Sequence, residues 1–136
     1  FFLLRDSGGD SLAPIKAYLS ACETGDYKRM KGVVPEVVYE DRYFEDDFYD
    51  AIEEIDDEYG TTRKMTCKKL DEEALEGEDF EELREVICDR YDLLEKKLTA
   101  IHNVEIRLSI EGSQESDTSK RTVIVYCYDG SWYLAC

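Results

Sequence analysis

No stretch of this chain reaches the roughly 18 consecutive apolar residues of a membrane-crossing helix. Basic residues are scarce: 17 Lys and Arg stand against 33 Asp and Glu, a formal charge of −16. Such a surplus repels phosphate backbones and anionic headgroups, which excludes nucleic-acid binding through a broad basic face. There is no CxxC pair, so a zinc ribbon or thioredoxin-type site has no support. No glycine-rich phosphate loop and no Gly-x-Ser-x-Gly elbow occurs. The spaced Asp/Asn pattern of an EF-hand loop is missing too, so calcium binding by the acidic clusters is expected to be weak. No cofactor and no metal site is expected. A secreted, calcium-dependent acidic protein remains only a third reading.

What is present suits one domain with a core: 136 residues, 43% hydrophobic and 12% aromatic. The start, Phe1-Phe2-Leu3-Leu4-Arg5 followed by Asp6-Ser7-Gly8-Gly9-Asp10, reads as the outer end of a membrane anchor or signal segment and a flexible linker. Residues 1–10 are therefore set apart from a domain over 11–136, expected to lie outside the cytoplasm and tethered at its N-terminus. The cysteines are Cys22, Cys67, Cys88, Cys127 and Cys136. Their odd number allows at most two bridges within the chain, and buried thiols are expected among them.

Periodicity predicts helices over 11–22 and 26–31, the first capped by Asp10 or Ser11. A third is predicted over 43–59, its apolar face made by Phe44, Phe48, Ile52, Ile55 and Tyr59. Between Glu36 and Glu58 lie 12 acids and one base, Arg42, an accumulation that must sit mostly in water. A strand is predicted over 61–70, with 71–79 as an acidic connector. The longest helix is predicted over 79–100, because Phe80, Leu83, Ile87, Tyr91, Leu94, Leu98 and Ile101 step by three and four.

The C-terminal part reads as β. Val104, Ile106, Leu108 and Ile110 alternate with polar residues. A polar loop over 111–119 leads to strands over 122–128 and 131–136, joined by Asp129-Gly130, a strong hairpin signal. A two-residue turn sets Cys127 opposite Trp132 and Tyr126 opposite Tyr133. One face then carries Val123, Val125, Cys127, Trp132, Leu134 and Cys136, and is expected against the helices. The other carries Thr122, Ile124, Tyr126, Tyr128, Tyr133 and Ala135. It is expected to be open, with Ile124, Tyr126, Tyr128 and Tyr133 as a candidate partner or homodimer surface. The same register puts Cys136 about 13 Å along the strand from the partner of Cys127, too far for a bridge between them.

The opening "AYLSACETGDYKRM" (17–30) and the ending "YDGSWYLA" (128–135), with the order of elements from Ser11 onward, resemble the NTF2-like, or cystatin-like roll, superfamily. The likeness is to small bacterial domains held on the cell surface. It implies an α+β fold in which a curved antiparallel sheet wraps a long helix and leaves a pocket between them. Some members place acids or bases in that pocket; many are binding or dimerising modules.

The candidate chemistry is sparse. His102, the single histidine, reads as a helix-end residue that favours the dipole, because no triad partner is visible for it. The paired carboxylates sit opposite the apolar stripes and read as solvated faces. Cys67, near Lys64, Lys68 and Lys69, is not expected to be reactive. Tyr18, Phe48, Tyr91 and Trp132 are the candidate lining of a ligand pocket, the alternative being that these rings are core. The expectation is a non-catalytic ligand-binding or protein-interaction module. A small-molecule enzyme using the pocket between sheet and helices is the rival.

Overall fold

The computed structural model describes residues 10–136; the apolar start at Phe1–Arg5 and most of the linker lie outside them. The described chain is α+β. It has four α-helices, α1 (Ala13–Thr24), α2 (Glu36–Tyr39), α3 (Arg42–Tyr59) and α4 (Gly77–Tyr91). Four strands, β1 (Arg63–Ala74), β2 (Leu98–Gly112), β3 (Ser116–Tyr128) and β4 (Ser131–Leu134), form one open antiparallel sheet in the order β1-β2-β3-β4. No described helix is long and apolar enough to cross a membrane.

Short polar side chains start the first elements. Asp10 accepts a hydrogen bond from the Leu12 amide (2.9 Å), Asp26 from Lys28 (3.1 Å) and Asp41 from Tyr43 (2.9 Å). Each satisfies an amide that a starting turn leaves without a backbone partner. Gly25 ends α1 in the left-handed region at φ 69°. The expected helix over 26–31 is a single 3₁₀ turn, Tyr27–Met30.

The hairpin pairs as its turn demands: Tyr128 faces Ser131, Cys127 faces Trp132, Tyr126 faces Tyr133 and Val125 faces Leu134. Val125 and Leu134 are buried with Ile15 and Leu19 of α1 and Phe48 and Ile52 of α3, while Val123 and Trp132 pack half-buried against this core. Val123, Val125, Trp132 and Leu134 thus meet the helices as expected, while the last strand stops at Leu134 and Cys136, expected on the same face, is exposed beyond it.

The other face is not open. Tyr126 is 0% exposed, and it is buried with Leu98 and Ile101 of β2 and Ile87 and Cys88 of α4. Ile124, Tyr128 and Tyr133 pack half-buried around it. The four candidate interface residues are thus covered by α4 of their own chain. The physical reason is occupancy. Once α1 and α3 fill the Trp132 side, the stripe of α4 has only the tyrosine-rich side on which to bury itself. The sheet lies between two helical layers.

The long helix is also shorter than its periodicity suggests. It ends at Tyr91, because Asp92 turns left-handed at φ 57° with its amide bonded to the Cys88 carbonyl. Leu98 and Ile101 are strand residues, brought to one face by a bulge between Leu98 and Ala100, and Leu94 is exposed. Strand alternation with a bulge happened to continue the helical spacing. In β1 the acidic residues beyond Leu70 are strand rather than connector, paired as far as Ala74 with His102. The polar loop shrinks to a tight turn over 113–115.

Two joints hold the α1–α3 layer to the sheet. The Arg63 side chain, only 1% exposed, donates to the Cys22 carbonyl at the end of α1 (Nε, 3.0 Å) and to the Gly60 carbonyl at the end of α3 (3.0 Å), and pairs with Asp56. A fixed cation there answers the unpaired carbonyls of both helices at once. At the second joint, Gln114 donates its amide to the Tyr59 carbonyl (3.0 Å) and Ser113 to Thr62 (3.0 Å). A Cβ on Gly112 would lie 2.1 Å from the Tyr59 carbonyl oxygen, backbone that cannot step aside.

Arg63→Ala is expected to cost about 3 kcal/mol or more, as removal of one member of a buried polar set does, with Arg63→Lys recovering only part because one ammonium cannot span three acceptors. Urea unfolding measures both. Gly112→Ala is expected to cost about 1–3 kcal/mol through overpacking, seen as a lower midpoint with unchanged denaturant slope.

Candidate functional site

Between α1, α3 and the sheet lies a cavity of about 600 Å³. Ile15, Leu19 and Cys22 close it from α1, and Ile55, Glu58 and Tyr59 from α3. Ile106, Leu108, Ile110 and Val123 form its floor. Its polar groups are few: the Tyr18 hydroxyl, Glu58, Arg121 and Thr122 among them. Burial pushes the Cys22 thiol up to about 11 despite a hydrogen bond from Tyr18 and the nearby Arg63 charge. It is therefore protonated and inert at neutral pH. Burial likewise raises Tyr18 above the ordinary phenol range.

A second cleft, of about 360 Å³, opens between α1, the start of α3 and the end of α4. Tyr18, Phe48 and Tyr91, three of the four candidate pocket residues, meet here, joined by Tyr43 and Phe44 and by Asp41, Asp47 and Arg90. The Tyr91 hydroxyl donates to the Cys136 carbonyl. The cleft shares Tyr18 and Cys136 with the larger cavity. Phe48 serves both as lining and as core, since it packs edge-on to Tyr27 at 5.4 Å between ring centroids. Sequence spacing alone offered no sign of Tyr43 or Arg90, because they lie beside, not on, the apolar stripes.

Trp132 does not join them. It lies over His102 at the far end of the same face, with centroids 4.7 Å apart. His102 is not a helix-end residue; it sits in β2, and its Nδ1 meets Glu72 Oε2 at 2.6 Å. Ser11 donates to the same oxygen (2.7 Å) and Lys69 to Oε1 (3.0 Å). A bulge between Lys69 and Asp71 selects the acid. It shifts the alternation so that Glu72 follows Lys69 onto the α1 side. Burial works against the charge on Glu72, but the bonds from His102, Ser11 and Lys69 overcome it and hold the carboxyl at about 2. This partner was invisible while the segment read as a connector.

Cys67 has its thiol raised by burial, although Lys16 acts the other way, in keeping with low reactivity. All five cysteines are free. Among the described residues no three metal-ligating side chains converge. Comparison with protein-family models, curated proteins and solved structures finds no match to this chain.

Because Glu72 is ionised in the folded state well below its ordinary range, its contribution is fully present above about pH 4.5 and fades as pH falls toward 2. Glu72→Gln is expected to lower stability by about 1–2 kcal/mol at pH 7. The gap to wild type should close as pH drops from 4.5 to 2, read by urea midpoints along a pH series.

Proposed function

We propose that the chain is a non-catalytic binding module whose ligand is a small, mostly apolar molecule held between the helices and the sheet. The observation that carries this is the cavity of about 600 Å³ with aliphatic walls and a few polar groups. That volume and that composition are those of small-molecule sites. Its wall carries no activated nucleophile, since the Cys22 thiol is pushed up rather than down.

The finer reading of the fold is an NTF2-like roll. In its support stand the order of elements, helices first, then a strand, a helix and three antiparallel strands, and an open hollow between helices and sheet. The departure is α4, which lies on the sheet face away from the cavity. The covering of Tyr126 and its neighbours by α4 favours a small molecule over a protein on that sheet face.

One observation favours the enzyme reading. His102 has a carboxylate partner beside Trp132, the arrangement of an oriented general base. The hydroxyl in the cluster, Ser11, donates to Glu72 and not to the imidazole. No nucleophile–base pair results, and the group acts as a strut between α1 and the sheet.

The neutral apolar dye N-phenyl-1-naphthylamine is expected to bind saturably with enhanced emission, and Val123→Phe, which fills the floor of the cavity, to abolish that response while circular dichroism stays unchanged. No saturable binding, or equal binding by the filled variant, would overturn the reading.

A further inference from the structure

The cleft at the corner of α1, α3 and α4 differs in chemistry from the cavity beside it. Five aromatic rings and two carboxylates line its space of about 360 Å³, with Arg90 as the one base. We infer that this cleft binds a small organic cation, an ammonium carrying methyl or short alkyl groups.

Aromatic rings present a negative face, and several rings around one space suit a cation whose hydration is weak and whose surface is partly apolar. Carboxylates at the rim add attraction without closing the site. Asp41 is engaged in capping α3 through the Tyr43 amide, which leaves Asp47 as the carboxylate not committed to that cap. The field around the cleft has the same sign, because α3 belongs to the most acidic segment of a chain with charge −16.

Two placements point to this class of ligand rather than to a neutral one. Tyr43 is 79% exposed, so its ring contributes little to core packing although it lines the cleft. Such a side chain is spent at the mouth, where it can lie over an occupant. The Arg90 guanidinium, itself exposed at the rim, stands 5.4 Å from the centroid of the Tyr91 ring. A cation already lies over one of the lining rings, so positive charge is accommodated beside the aromatic wall, and the ligand is left to the other rings. Arg90 also repels an incoming cation, so it sets the affinity from the unfavourable side. An anionic ligand would reverse every one of these signs. This inference goes beyond the apolar-ligand reading and does not depend on it.

The test uses choline against its neutral isostere 3,3-dimethyl-1-butanol, followed by NMR of the ligand methyl protons, which ring currents shift upfield. Choline is expected to bind saturably and the isostere at least tenfold more weakly. Tyr43→Ala and Asp47→Asn should each weaken choline about threefold, in the range of an exposed cation–π or charge contact, and Arg90→Gln should tighten it by a similar factor. These positions are exposed, so the folded state is expected to survive each change. Equal binding of choline and isostere would mark an apolar groove and overturn the proposal. Attraction that vanishes with salt and ignores Tyr43→Ala would mark bulk charge only, and overturn it as well. Val123 does not line this cleft, and Tyr43, Asp47 and Arg90 do not line the cavity, so failure here and failure of dye binding are separate results.

Discussion

Much of this fold depends on one buried cation. Arg63 opens β1, yet its side chain belongs to the ends of two helices, where Cys22 and Gly60 offer carbonyls that no backbone amide answers. Removing a guanidinium from water is costly, and it is repaid here by several charge-assisted hydrogen bonds and the Asp56 carboxylate. The consequence is geometric. The C-terminal ends of α1 and α3 are held to the same side chain at the start of β1, and between the two helices and the floor of β2 and β3 lies open space. The larger cavity is that space.

The edges of the sheet are treated in the same economical way. β1 is an edge strand, and the Glu23 carboxylate takes the outward Met65 amide at 2.7 Å. At the other edge the Leu134 amide meets the Val33 carbonyl at 2.8 Å. Each contact occupies a donor that would otherwise invite another strand. Both come from the segment that also builds the helical layer, so covering the sheet face and blunting its edges are one event. The tyrosine-rich face is closed by a separate piece, α4, around Tyr126, whose hydroxyl finds no hydrogen-bond partner among the described residues.

Element types were legible in the sequence wherever a local rule decides them. The Asp129-Gly130 turn dictates its register, and the hairpin follows it as far as Val125 and Leu134. α3 and its apolar face lie where the spacing of Phe44, Phe48 and Ile52 puts them. What was not legible depends on competition between distant parts. Periodicity cannot say which side of a sheet a helix will take, and α4 took the side left free. Nor can it find a helix end made by Asp92, whose left-handed turn carries no glycine to announce it. The site was half legible for the same reason. Phe48 and Tyr91 lie on predicted stripes and meet Tyr18, whereas Trp132 lies against His102 because the segment from Leu98 is strand, paired with β3, where the spacing read as the end of a helix.

The bulge between Lys69 and Asp71 gives chain length a role that residue identity does not have. Three acids in a row, Asp71, Glu72 and Glu73, offer interchangeable carboxylates, and only the one extra residue decides which of them turns toward the imidazole. Were the same residues paired without the bulge, Leu70 would stand opposite Glu105 and Asp71 opposite Val104, and Asp71 in place of Glu72 would turn toward Ser11 and His102. The polar knot under α1 is thus written in counting rather than in chemistry.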